Sequence, residues 1–308
     1  MLAELGQRVI VADLDPQSNL SSMFLDEDRL EEIWSQSPAQ TIDGAVSPRF
    51  LGTGDLLPPT IENLGQRLGA IIGDLGLSRR EDALSAAWPN CANGDLRAFR
   101  DMSSFHQTIQ TAGQRFDANI ALIDVGPNLG ALNRAVLLGC DFIVVPLGAD
   151  LFSLQGLQNM GPTLRTWRET WERNKTQCGD PALRALLPGG FMTPAGYVVM
   201  RHSVTAGRPA RVSTKWIERM PGQYREYILH AAPSAQVAVD SDPNCLAVLK
   251  DYRSLMPLAQ EARKPMFLLR PGDGAFGGHQ AAVTACYSDF KHLSQRMMVA
   301  CGMPSSPV

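Results

Sequence analysis

The chain has 308 residues, 44% of them apolar and 19% charged, a length that supports one large or two ordinary domains and excludes a small fold stapled by disulfides or metal. With 28 basic against 31 acidic side chains the formal charge is −3, which indicates neither disorder nor a globally nucleic-acid-attracting protein, so any DNA contact needs a local patch. No apolar run reaches the roughly 18 residues of a membrane span, Glu4, Asp13 and Asp15 break any secretory leader, and six scattered cysteines lack metal-ligand spacing, all of which predicts a cytoplasmic protein with reduced thiols and no membrane attachment.

In chain order, Gln7 to Leu14 (QRVIVADL) predicts a first strand. The stretch from Asp26 to Gln114 is cut into short pieces by Gly52, Gly54, Pro58, Pro59, Gly65, Gly69, Gly73 and Gly76 and yields no readable element. Asn119 to Val125 (NIALIDV) and Asp141 to Leu147 (DFIVVPL) predict two further strands, each near-continuously apolar, as strands buried on both faces are. From Leu151 the spacing of Leu154, Leu157, Leu164, Trp167 and Trp171 predicts a helix with one buried stripe. Gly196 to Met200 (GYVVM) reads as another strand, and helices are expected at Thr214 to Met220, Gln223 to Leu229, Tyr252 to Arg263 and Ala281 to Val299. The glycine-rich Gly272 to Gly278 lacks a G-K-[ST] ending and reads as a turn, and Pro304 to Val308 as a frayed tail. Strands alternating with helices predict an α/β fold with a mostly parallel, doubly wound sheet.

Chemistry-bearing residues gather where such sheets bind ligands, at the carboxyl ends of strands. Asp13-Leu14-Asp15-Pro16 ends the first strand; if the extended geometry continues, Asp13 and Asp15 point the same way and can hold Mg²⁺ or orient a water, and otherwise they are solvated acids in a turn. Pro16 stops the strand, and Ser18 or Asn19 is expected to cap the helix that follows. Asp124 ends a second apolar strand in the general form of a Walker B acid, followed by Val125-Gly126-Pro127-Asn128.

Leu2 to Ser21 (LAELGQRVIVADLDPQSNLS), Ala121 to Val136 (ALIDVGPNLGALNRAV), Ile143 to Leu147 (IVVPL) and Phe152 to Leu157 (FSLQGL) together resemble the ParA/MinD/Soj group of deviant Walker P-loop ATPases, most closely the partitioning ParA branch. The resemblance covers residues 1–175 well and implies a single ParA-like α/β domain over 1–300, more divergent from 176 to 300, with a tail at 301–308. It implies ATP and Mg²⁺ as cofactors, ATP-dependent homodimerisation, nonspecific DNA binding and a ParB-like activating partner. Residue by residue, Asp15 matches the family's hydrolysis-promoting acid, Asp13 its neighbour near the Mg²⁺ shell, Asp124 the Walker B acid, and Pro127 the loop beyond the γ-phosphate. Gln17 and Asn19 match polar positions near the nucleotide or dimer face, and Arg208, Arg211, Lys215 and Arg219 form a candidate DNA patch.

One departure from the pattern stands out. The family's K-G-G-x-x-K-[ST] loop and the strand before it precede the D-x-D-P-Q strand, whereas this sequence opens inside the intervening helix, at Met1 to Gly6, about 25 residues later. The expectation is therefore a chain whose phosphate loop and first strand lie outside the printed residues, inactive as printed. The alternative is a nucleotide-free adaptor or DNA-binding regulator derived from the same fold.

Overall fold

A computed structural model describes residues 1–200, 210–232, 237–252 and 254–304. Elements run β1 (Val9–Leu14), α1 (Asn19–Phe24), α2 (Glu27–Ser35), α3 (Ile42–Leu51), β2 (Glu62–Gly65), β3 (Leu68–Ile71), α4 (Arg80–Cys91), α5 (Leu96–Phe116), β4 (Ile120–Val125) and α6 (Ala131–Leu138). They continue with β5 (Phe142–Gly148), α7 (Leu151–Gln177), α8 (Pro181–Ala185), β6 (Thr193–Met200), α9 (Ala210–Ile217), α10 (Met220–Gln223), β7 (Cys245–Leu249), α11 (Leu255–Ala262) and α12 (Gly278–Ala300). They form two compact units: one holds Leu2–Asp141 with Trp167–Met192, the other Phe142–Thr166 with the chain from Thr193 onward.

In the first unit the sheet order is β2-β3-β1-β4, with β1 parallel to both β3 and β4 and β2 antiparallel at one edge. All six residues of β1 are buried, as its unbroken Val-Ile-Val-Ala run requires of a central strand. For β4 the sequence expectation of burial on both faces is corrected: it is the outermost strand of its sheet among the described residues, and Ala121, Leu122 and Asp124 are exposed.

The unread stretch from 26 to 114 supplies four helices and two strands of this unit. Helix α5 starts where the Asp95 carboxylate accepts Arg97 N–H at 2.8 Å, and it buries Phe99, Met102, Phe105 and Ile109 on one face. Phe99 meets Trp171 of α7 at 5.9 Å between ring centroids, and Trp171 stacks on Trp88 of α4 at 6.1 Å while its indole N–H donates to Pro188 O at 2.8 Å. Each fully buried side chain of this size contributes about 1.5–3 kcal/mol by burial.

The second unit has a parallel sheet in the order β5-β6-β7. Leu154 and Leu157 of α7 pack there with Val145, Tyr197 and Tyr224, so the predicted stripe is buried along its length. Tyr197 is buried and donates its hydroxyl to Asp242 at 2.7 Å, and burial followed by that carboxylate pushes the phenol's pKa well up. The predicted helices exist with shifted ends: Gln223 to Leu229 contains a π-helical turn at Tyr224–Ile228, and the glycine-rich segment is a 3-10 turn, Pro271–Asp273, leading into α12. Among the described residues no helix is long and apolar enough to cross a membrane.

Candidate active site

Strands β1 and β4 pair with Asp13 opposite Asp124, so two acids leave the sheet at one level at its carboxyl end. Of the two geometries left open for Asp15, the structure shows the turn. The strand stops at Leu14, Ser18 N–H closes a turn on Asp15 O at 2.9 Å, and the Asp15 carboxylate accepts Gln17 N–H at 3.0 Å. The turn carries Asp15 against the loop after β4: a Cβ on Gly126 would lie 3.2 Å from Asp15 Oδ1. The three acids thus share one locality within the first unit. Although Asp124 is exposed as a residue, desolvation by the protein around its carboxyl is the first cause that lifts it above its ordinary value, and the charges of Asp13 and Asp15 come next.

Asp13 is 2% exposed, and both of its oxygens are engaged. Oδ2 accepts Ser21 N–H at 2.8 Å and Ser21 Oγ–H at 2.7 Å, and Oδ1 takes Asp15 N–H at 3.3 Å. Ser21 Oγ also accepts Gly73 N–H at 2.9 Å, which ties the end of β1 to the chain leaving β3. Asp13 therefore does the capping of α1 that the sequence assigned to Ser18 or Asn19. Ser18 does occupy the N-cap position, but at φ 52° its side chain makes no cap bond and its buried Oγ has no partner. Ser18→Gly removes both the left-handed penalty and the orphaned hydroxyl, and should raise stability by about 0.5–1 kcal/mol in urea unfolding.

Gln17 and Asn19 are exposed in and just after this turn, and Pro127 is exposed in the loop beyond Asp124. None of Asp13, Asp15 and Asp124 forms an ion pair among the described residues. No group of three or more His, Cys, Asp or Glu there is arranged to hold a metal. In the second unit, Arg208 lies outside the described residues and Arg211 falls on α9. Lys215 Nζ lies 5.1 Å and the Arg219 guanidinium 5.5 Å from the Trp216 ring, although α9 ends before Arg219.

Burial is the leading cause of a raised pKa at Asp13, Asp101 and Asp124 alike. The folded state then holds protons that the unfolded chain releases, so the slope of stability against pH is negative from the ordinary carboxylate value near 4 up through the raised values. Unfolding free energy should fall as pH rises across that window, and Asp124→Asn should remove its own share of the fall, measured by urea melts from pH 4 to 7.

Three residues that frame the site, Ser21, Glu81 and Asn133, went unread in the sequence. Ser21 bonds eight residues back to Asp13, and Glu81 bonds 50 residues ahead, at spacings that carry no periodic signal.

The AAA domain family profile matches residues 1–177. Protein IncC of Escherichia coli is 29% identical over 168 residues, 54% of this chain and 40% of that protein. The sporulation initiation inhibitor protein Soj of Bacillus subtilis is 26% identical over 168 residues, 53% of this chain and 55% of Soj. The virulence plasmid ParA family protein pGP5-D of Chlamydia psittaci is 25% identical over 158 residues, half of each chain. The chain spans about half the length of the curated relatives it matches. Among solved structures, protein DIP2308 of Corynebacterium diphtheriae superposes with a TM-score of 0.66 at 22% identity, over 85% of this chain and 89% of that one. The ATP complex of Cyanothece McdA does so at 0.54 and 13% identity, over 98% and 88%, and both likenesses speak for the P-loop NTPase-like fold alone. With a profile match over more than half its length, on the stretch that carries D-L-D-P-Q and the strand ending at Asp124, the protein belongs to the AAA domain family, in the ParA/MinD/Soj group.

Proposed function

We propose that the chain is the hydrolytic core of a ParA-like partitioning or positioning ATPase, in which Asp124 holds Mg²⁺ through water and Asp15 orients the attacking water. The observation that carries this reading is the in-register pairing of Asp13 with Asp124, with Asp15 turned into the same locality. The cation fits the residues present in one respect: Asp124 makes no ion pair among the described residues and its carboxyl is raised by desolvation and then by the charges of Asp13 and Asp15, so a divalent ion would offset that cost. Mg²⁺ commonly takes only one or two carboxylates beside water and phosphate, so no three-acid cage is required of the chain. In this proposal Asp13 chiefly builds the site, its Oδ2 accepting twice from Ser21, and it would reach the ion only through water from Oδ1. When bound, the ion would neutralise charge on transferring phosphate; the chain's own carboxylates place the water and hold the two loops.

No G-K-[ST] triplet occurs in the 308 residues, and backbone N–H groups of such a loop are what hold phosphates. Among the described residues β4 is the last strand of its sheet, which leaves room in this proposal for a strand bearing such a loop beside Asp124. ATP-dependent homodimerisation and a ParB-like activating partner belong to the same proposal, as does a cytoplasmic location. Lys215 and Arg219, gathered on Trp216, are the described part of the proposed nonspecific DNA patch.

Calorimetry with Mg-ATP tests the core claim. The chain as printed should show no micromolar binding, and the chain joined in front of Leu2 to a strand, a K-G-G-x-x-K-[ST] loop and a helical turn should gain it. Hydrolysis by that longer chain should fall at least about 100-fold in Asp15→Ala. A longer chain that still fails to bind would leave the nucleotide-free adaptor as the function.

A further inference from the structure

Helix α6 begins at a residue that cannot cap it, since Gly130 offers no side-chain acceptor. The acceptors come from α4: the Glu81 carboxylate takes Ala131 N–H on Oε1 and Leu132 N–H on Oε2, the latter at 2.9 Å. An acid there satisfies two of the helix's orphan donors and lies at the positive end of its dipole. A Cβ on residue 130 would lie 2.5 Å from Glu81 Oε1, so any larger residue there would push the carboxylate out of this position. Helix α4 grips α6 at a second point, where the Arg134 guanidinium sits 4.5 Å from the Trp88 ring centroid.

From α6 the restraint passes into the loop after Asp124. Asn133 is 2% exposed and gives its Nδ2 hydrogens to Gly126 O and Asn128 O, at 2.6 Å each. Asn128 Oδ1 in turn accepts Gly130 N–H at 2.9 Å. Pro127, which has no N–H to offer, is thereby held between two fixed carbonyls.

We propose that Glu81 and Asn133 are positioning residues that together set the conformation of the loop 126–130, Asn133 by holding its carbonyls and Glu81 by fixing the start of the helix that carries Asn133. The consequence for hydrolysis rests on the roles given above to Asp15 and Asp124, whereas the restraint itself needs no nucleotide and is tested without one.

Amide hydrogen exchange on the 308-residue chain separates the two. Glu81→Ala should speed exchange of residues 126–132 about tenfold or more while the β1 and β3 amides keep their protection. Glu81→Gln, which keeps the size of the side chain but only one of its two acceptor oxygens, should recover only part of the protection, whereas a general packing role would be rescued in full. Asn133→Ala should loosen residues 126–128 in the same way from the other end. Unchanged exchange at 126–132 in both alanine variants, or equal loss at β1, β3 and the loop, would overturn the proposal. Either result is independent of whether the longer chain binds ATP.

Discussion

Asp13→Ala should cost about 2–4 kcal/mol of stability in urea unfolding, because it strips the acceptor from two buried Ser21 donors, each worth about 1–3 kcal/mol when left unpaired. The damage should spread to Gly73 N–H, whose partner Ser21 Oγ loses its anchor. Asp13→Asn keeps one acceptor oxygen and should lose roughly half as much. By contrast, Asp15→Asn and Asp124→Asn should change stability by no more than about 0.5–1 kcal/mol, since these acids are not fully buried and make few bonds. The three acids, adjacent in space, then part into one that builds the site and two that are free to act in it. If Asp13→Ala melted like Asp124→Asn, the capping role drawn from the Ser21 bonds would be wrong.

Asp43→Ala should be more damaging, at about 3–5 kcal/mol, because it leaves a buried guanidinium without its counter-charge. Arg80 Nε and Nη2 reach the Asp43 carboxylate at 2.6 and 2.9 Å, and the pair is 9% exposed on either side chain. Ser47 Oγ accepts a further bond from Nη2 at 2.6 Å, and Phe50 lies 5.4 Å from the guanidinium carbon. The double variant Asp43→Leu with Arg80→Met removes both charges and should regain most of the loss, as replaced buried pairs commonly do. A double-mutant cycle with a coupling energy near zero would show that the pair is solvated in practice.

These bonds explain why the first half of the chain resisted reading. In α5, Ser103, Ser104 and Thr108 are buried, yet as polar residues they break the apolar pattern that marks a core-facing helix. Their hydroxyls bond back to the carbonyls of Phe99, Arg100 and Ser104 at 2.8, 2.9 and 2.9 Å, so burial leaves nothing unsatisfied. Strand β3 is four residues with a glycine inside, and it is a strand because β1 offers it a ladder, which no local window can show. The strands that were read, β1, β4, β5 and β6, are those whose own composition demands burial or pairing. Asp13, Asp15 and Asp124 were legible as acids at strand ends, but their hydrogen bonding was not, because it depends on Ser21 and on a turn at Pro16.

The outer rim of β4 bears on how the isolated chain behaves in a test tube. Its hexapeptide Ile-Ala-Leu-Ile-Asp-Val has high strand propensity, a single charge, and neither lysine nor proline to discourage another backbone from annealing to it. Among the described residues that strand has no partner on its outer side, an arrangement that favours pairing between molecules. Turbidity and light scattering should therefore climb with concentration, and a lysine in place of Leu122 should keep the solution clear.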